Sequence, residues 1–218
     1  MFSSLREEKK LWRRGYKRVA CLDEAGRGPL AGPVTAAVAM VCKFPISNFQ
    51  FPNIKDSKQL SPQKREKFYK LITTNPNIKW GIGIVSEKVI DKINILEATK
   101  LAMKKAVRNL KMKNEKLKIN YLILDGKMEI DLPFPQRSII KADEKVFSCA
   151  AASILAKVTR DRIMVRYHKK YPKYRFNLHK GYPTRLHRRL LKKYGSCKIH
   201  RKSFNPVRAC KSDQVMIL

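Results

Sequence analysis

Asp23 and Glu24 stand side by side in "CLDEAGRGPLAG" (21–32), where the apolar-patterned run "KRVACLD" (17–23) gives way to a glycine-rich loop. Asp125 closes a second such run, "INYLILDG" (119–126), and Asp143 closes a third, "RSIIKAD" (137–143), at the start of a helical pattern. Catalytic groups often sit where strands run out into loops on a rigid frame. Taken singly, Asp125-Gly126 also reads as a turn and Asp143 as a helix N-cap. Three strand ends together, in a chain with 17 Asp+Glu against 49 Lys+Arg, favour a shared site. Gathered carboxylates repel one another and their pKa values rise. Divalent cations relieve this, and hard oxygen ligands suit Mg²⁺ or Mn²⁺. Two such ions about 3.5–4 Å apart can activate a water and stabilise the leaving oxygen of a phosphodiester. One geometric condition applies. Adjacent strand residues face opposite ways, so Asp23 and Glu24 share the ions only if the strand turns at Glu24, which Ala25-Gly26 permits.

The balance of the chain supplies the substrate class. Its 218 residues carry a formal charge of +32, with a hydrophobic fraction of 44% that suffices for a sizeable core. One domain, with or without a small appendage, fits that length. So basic a chain attracts polyanions, nucleic acid above all. From Lys157 to Lys211 there are 19 Lys+Arg and one acid, Asp161, together with all four histidines and interleaved aromatics. Cations for phosphates and rings for sugars or bases make that segment a nucleic-acid surface. An acidic, metal-holding centre in a basic chain reads as a nuclease or polymerase-like enzyme. The alternative is a non-catalytic basic nucleic-acid binder. "GRGPLAG" is not a nucleotide-binding P-loop, since no Lys-Ser/Thr closes it. Five cysteines without an apolar leader argue for free thiols, and Cys197 with His200 lacks the four spaced ligands of a zinc site. The longest apolar run, Leu30 to Cys42, is too short to span a bilayer. The expectation is a cytoplasmic protein, monomeric and not membrane-bound.

The elements that must position these acids follow from periodicity. Strands are expected at 17–23, 33–41, 78–85, 119–126 and 137–143. A helix opens with Ser61 as N-cap and Pro62 at its first position. A long helix is expected from Asn94, with Glu97 completing a box-like start, and another from Glu144 through "KVFSCAAASILAKVTRDRIMVRY". The pattern is that of an α/β or α+β domain with a central mixed sheet.

The quoted residues also carry a resemblance. "DEAGRGPLAGPV" (23–34), "DSKQLSPQKRE" (56–66), "LDG" (124–126), "IIKADEKVFSCAAASILAKVTRD" (139–161), "HKGYPTRLH" (179–187) and "HRKSFNPV" (200–207) resemble, in order, the motifs of ribonuclease HII. The resemblance implies an RNase H-like fold, with a central mixed five-stranded β-sheet flanked by helices and a helical C-terminal region. It implies cleavage of RNA in RNA–DNA hybrids and incision 5′ of single ribonucleotides embedded in duplex DNA, leaving 3′-hydroxyl and 5′-phosphate ends. Those duplexes are the implied partners. Asp23, Glu24, Asp125 and Asp143 match the four carboxylates of the family. The first three would be the main ligands of two Mg²⁺ or Mn²⁺ ions, and Asp143 would complete the second metal's surroundings, partly through water. Gly26-Arg27-Gly28 matches the loop that recognises the ribonucleotide 2′-hydroxyl. Tyr182 matches the ring that stacks on the next sugar, and Lys58 a phosphate-contacting lysine. The implied organisation is a basic N-terminal extension (1–16), a catalytic domain (17–165) and a basic helical C-terminal region that binds the duplex (166–218). Two departures stand out: "ACLDE" lacks the usual glycine ahead of the acids, and Lys141-Ala142-Asp143 replaces Lys-Gly-Asp. Ribonuclease HIII shares parts of the motif but normally carries an additional N-terminal domain. Asp161 lies between Arg160 and Arg162, which suggests a structural salt bridge. Finally, "DQVMIL" (213–218) resembles a short sliding-clamp-binding peptide.

Overall fold

The computed structural model describes residues 3–42, 60–113 and 118–210. Lys58 and the 213–218 tail lie outside them. Five strands form one sheet in the order β3-β2-β1-β4-β5: β1 Val19–Ala25, β2 Val34–Val41, β3 Ile78–Val85, β4 Tyr121–Asp125 and β5 Gln136–Ile139. β1, β2 and β3 pair antiparallel with one another, whereas β4 runs parallel to both β1 and β5. This is the mixed five-stranded sheet expected from the sequence.

Helices cover both faces, and alternation along β1 tells them apart. Val19, Cys21 and Ala25 pack with α5 (Phe147–Lys170), while Ala20 and Leu22 pack against α3 (Glu87–Lys113). Both faces of β2 are buried, which accounts for its nearly continuous apolar run, interrupted only by Thr35. The alanines of α5 from Ala150 to Ala152 are wholly buried, and their small side chains let the helix lie close on the sheet. On the other face the same closeness comes from the sheet: a Cβ at Gly83 would sit 1.9 Å from the Ala102 carbonyl oxygen, and one at Gly81 would sit 2.3 Å from that of Ala106.

The start signals work locally. Ser61 Oγ accepts the Lys64 amide at the head of α2 (Pro62–Thr74), as its position implied. Asn94 Oδ1 accepts from the amides of Leu96 and Glu97, so it does cap a helix. A shorter helical segment from Glu87 leads into it, and Asn94, at φ 64°, is the non-helical junction between the two. The expected 137–143 strand is also shorter. β5 ends at Ile139, Lys141 turns left-handed at φ 56°, and Asp143 lies in a one-turn helix, α4 (Ala142–Lys145). Ala142 in place of glycine is therefore unstrained, because the left-handed residue is the one before it.

The N-terminal helix α1 (Arg6–Arg13) is docked on this frame. The Ser4 amide donates to the Lys145 carbonyl at 3.1 Å, and Ser4 accepts from the Phe147 amide at 3.0 Å. Buried Glu8 accepts the Ser148 amide at 3.0 Å, at the N-terminal end of α5. C-terminal to α5 come α6 (Phe176–His179) and α7 (Arg185–Tyr194), the latter capped by Thr184. α5 itself runs unbroken past residue 165. No helix among the described residues is long and apolar enough to cross a membrane.

Because helix backbone lies directly on Gly83, Gly83→Ala should destabilise by about 1–3 kcal/mol and lower the melting temperature by several degrees. Thermal unfolding followed by circular dichroism checks this; an unchanged melting temperature would contradict the packing.

Candidate active site

Parallel pairing of β1 with β4 sets Leu22 opposite Leu124, so Asp23 and Asp125 follow at the ends of adjacent strands. Both belong to the alternation that faces α5. The turn after β4 then brings in the third acid. The Gly126 amide donates to the Ile139 carbonyl at 3.1 Å, and the Ala142 amide donates to Asp125 Oδ1 at 2.7 Å. Asp125 thus anchors the first turn of the helix that carries Asp143. Asp23, Asp125 and Asp143 each place a carboxylate oxygen within 4.8 Å of the others. Asp23 and Asp143 are 4% and 2% exposed.

Burial raises the Asp23 pKa well above the ordinary carboxylate range, with the charges of Glu24 and Asp125 adding to it; a hydrogen bond from Ser153 opposes the shift. Such a set is poised to release proton and repulsion together on taking up a cation, and three carboxylates form an all-oxygen donor set for a hard divalent ion.

Glu24 is placed differently. β1 stays paired through Ala25, opposite Thr35, and the chain turns only at Gly26, φ 99°. Glu24 is not one of the group of three, yet its charge is the largest acting on Asp23. Its amide donates to Asp23 Oδ1 at 2.6 Å, and Arg27 Nη1 lies 3.4 Å from its Oε1. The turn expected at Glu24 comes two residues later, at Gly26.

Two fully buried arginines shape the adjoining glycine loop. Arg160, from α5, donates to the carbonyls of Pro33, Ala31 and Lys180 at 3.0, 3.1 and 3.0 Å. Arg201 donates to those of Gly32, Arg27 and Gly26 at 3.0, 2.8 and 2.6 Å. Gly26 cannot be replaced, since a Cβ there would lie 2.1 Å from Arg160 Nε. Gly28 has open space around it and Arg27 is exposed, so the tip of the loop faces outward. Tyr182 is half-buried beside it, its ring centre 5.4 Å from Lys157 Nζ and 5.5 Å from the Arg160 guanidinium carbon. The acids, the loop and the ring thus occupy one region.

The sequence model of ribonuclease HII matches residues 20–207. The chain is 50% identical over 197 residues to ribonuclease HII of Caldanaerobacter subterraneus, covering 90% of this chain and 78% of that one. It is 53% identical to that of Acetivibrio thermocellus, covering 90% and 73%. The chain belongs to the ribonuclease HII family. Among solved structures, ribonuclease H2 from Pyrococcus horikoshii superposes with a TM-score of 0.67 at 29% identity, over 88% of this chain and 96% of that one. Ribonuclease HIII in complex with Mn²⁺ superposes equally well, TM-score 0.67, at 16% identity, a likeness of fold alone.

What sequence reasoning missed lies behind this ribonuclease HII site. Asp161 pairs with Lys157 at 2.8 Å, not with its neighbours; Arg162 pairs with Glu66, and Arg160 serves the loop. Three histidines, 179, 187 and 200, form a neutral cluster, with His179 stacked on His187. The Gly181 amide donates to His179 Nδ1, so His179 Nε2–H donates to the Tyr174 carbonyl at 2.8 Å. His187 Nδ1–H donates to the Tyr182 carbonyl at 3.0 Å, which leaves its Nε2 to accept from His200 Nε2–H at 3.1 Å. His200 Nδ1 then accepts the Cys197 amide at 2.9 Å. Each proton position follows from an acceptor-only carbonyl or a donor-only amide. The cluster ties Tyr182 to the C-terminal segment. Clustering of His, Tyr and Arg in the matched blocks was the available signal, but their pairings span up to 175 residues.

Burial, then the neighbouring imidazole, pushes His187 down to about 4 and His200 to about 3. An unfolded histidine titrates near 6.5. As pH falls below that value the unfolded chain takes up protons first, and stability drops. Glu8 acts oppositely. Burial raises it to about 7, so between pH 7 and about 4.5 the folded chain binds its proton first and gains stability. Glu8→Gln should therefore lose melting temperature more steeply than wild type between pH 6.5 and 4.5. Parallel curves would contradict the opposition.

Arg201→Lys, which keeps the charge but not the fork, should cost about 2–4 kcal/mol of stability and reduce activity as the loop loosens. Full activity at unchanged stability would show that the loop holds without it.

Proposed function

We propose that this chain incises duplex DNA on the 5′ side of an embedded ribonucleotide, and cuts the RNA strand of RNA–DNA hybrids, by two-metal phosphodiester hydrolysis. Its family supports the broader statement directly: it is a divalent-metal-dependent endoribonuclease of RNA–DNA hybrids. The observation that carries the finer reading is the convergence of Asp23, Asp125 and Asp143 within 4.8 Å, beside the outward-facing tip of an arginine-braced glycine loop.

Asp23 and Asp125 would hold the ions, with Asp143 completing the second ion's surroundings; Glu24, whose charge acts on Asp23 more strongly than that of any other group, would join them by reaching over with its longer side chain. Mg²⁺ or Mn²⁺ bound there would supply an activated water and charge neutralisation at the leaving oxygen. The chain's own contribution is position. Asp125 accepts the Ala142 amide through one oxygen and orients its carboxylate by doing so. Gly26-Arg27-Gly28 would read the 2′-hydroxyl, the atom that separates RNA from DNA. Tyr182, its backbone held through His187, would pack on the following sugar, which a 2′-hydroxyl would crowd. Lys58 would contact a phosphate.

In the C-terminal region, the exposed cations of α7 support duplex binding. A solved complex joins the ribonuclease HII of Archaeoglobus fulgidus to PCNA, and this chain matches that structure with a TM-score of 0.63 at 25% identity. The "DQVMIL" tail would make the corresponding contact here. Equal clamp binding by the full chain and one ending at Ser212 would sink that idea.

With Mg²⁺ or Mn²⁺, the wild-type chain should cut a duplex carrying one ribonucleotide on its 5′ side; no incision would refute the proposal. Asp125→Asn should lower cleavage at least about a hundredfold. The same change relieves repulsion at Asp23 and keeps the Ala142 hydrogen bond, so the metal-free melting temperature should rise. Tyr182→Ala should impair single-ribonucleotide substrates more than uniform hybrids; equal losses would contradict the stacking role.

A further inference from the structure

A cavity of about 450 Å³ opens between α1, the edge strand β5 and the helix that carries Asp143. Arg6 and Lys10 of α1, Arg137 of β5 and Lys145 of α4 line it, and Glu7 is the one acid in its wall. Glu7 is already engaged by Lys10 at 2.7 Å, and the charges of Lys10, Arg137 and Arg6 hold its carboxyl below the ordinary range. Four cations facing one neutralised acid leave the cavity strongly positive. These cations do not sit on a loose tail. Ser4 and Glu8 fasten α1 to the α4–α5 junction, and Arg137 belongs to the sheet.

The cavity's position gives that charge a meaning. Its wall residue Ile139 is the register partner of Asp125, and Lys145 follows Asp143 by two residues. Ile139 packs on the α5 face of the sheet, the face from which Asp23 and Asp125 project. In the sheet order, β1 and β4 lie between this edge and the β1–β2 loop, where Arg201 binds. A duplex crossing the carboxylates would leave the loop on one side and meet these cations on the other.

We propose that this cavity is a phosphate subsite, gripping the backbone of the bound duplex beyond the carboxylates on the side away from the glycine loop. The assignment rests on the nuclease reading above. It gives the N-terminal helix a direct part in substrate binding.

Binding without metal, to a duplex with one ribonucleotide, tests this across a salt series. Each neutralised phosphate contributes about 0.9 to the slope of log K against log salt. Arg6→Gln/Arg137→Gln should reduce that slope by about 2 and weaken binding roughly tenfold or more at low salt. Lys100→Gln/Lys104→Gln on α3 removes the same charge far from the cavity and should leave the slope near wild type. A cavity variant whose slope matches wild type, or matches the α3 control, overturns the subsite. If the pair lowers the melting temperature, Arg6→Gln alone on the exposed face of α1 gives the same reading, with a slope change of about 1. Incision by wild type is scored separately on the same duplex. Incision with an unchanged slope rejects the cavity alone, and a shifted slope without incision rejects the nuclease reading alone.

Discussion

Two guanidinium groups shut away from water decide where the glycine loop lies. A buried cation is costly unless its donors are satisfied. Arg160 and Arg201 satisfy theirs on backbone carbonyls, mostly those of residues 26–33. Burial, then the charge of Arg160, pushes Arg201 down to about 9, still cationic at neutral pH. Neither arginine can be withdrawn without leaving several buried carbonyls unpaired, so the loop has one low-energy path. The inner carbonyls are consumed by this support while Arg27 and Gly28 remain outside. Rigidity of the base and availability of the tip therefore have the same cause.

The arrangement also explains why the C-terminal segment belongs to the catalytic frame. Arg201 reaches the loop directly. The next residues are held by Asp91 of α3, which accepts from the amides of Lys202 and Ser203 at 2.9 Å. His200, one position earlier, passes through His187 to Tyr182. The segment after α5 returns the far end of the chain to the first loop after β1. The exposed cations of this segment can meet a polyanion, while its buried arginine and its three neutral histidines hold the site together.

The carboxylates follow the opposite economy. Arg160 and Arg201 are stabilised by partners already in place, whereas Asp23, Asp125 and Asp143 are held near one another against repulsion. The fold sustains that strain because strand pairing of β1 with β4 and the turn into α4 leave the three aspartates little freedom to separate. Such a set would gain most from a divalent cation, at the cost of folding stability while none is bound.

Much of this was legible in the order of residues. The alternation of "KRVACLD" and "INYLILDG" places Asp23 and Asp125 at strand ends, because a pleated strand half-packed against helices writes its burial into a period of two. Ser61 and Asn94 declare helix starts, because a cap is a contact within three residues. The motif order marked the family, and membership followed from it. Other features depended on contacts between distant residues. That Asp143 sits in a short helix after a left-handed lysine, and that β1 carries Glu24 past its expected turn, were set by competition between sheet pairing and loop strain. That Arg160 and Arg201 serve carbonyls rather than phosphates, and that His179, His187 and His200 are neutral, depended on burial, which local sequence does not encode. Sequence by itself determined which groups could do chemistry, through residue type and local periodicity. Only the tertiary structure decided which of them face metal, which face solvent and which brace the rest, because desolvation and long-range hydrogen bonding exist only once the chain has closed.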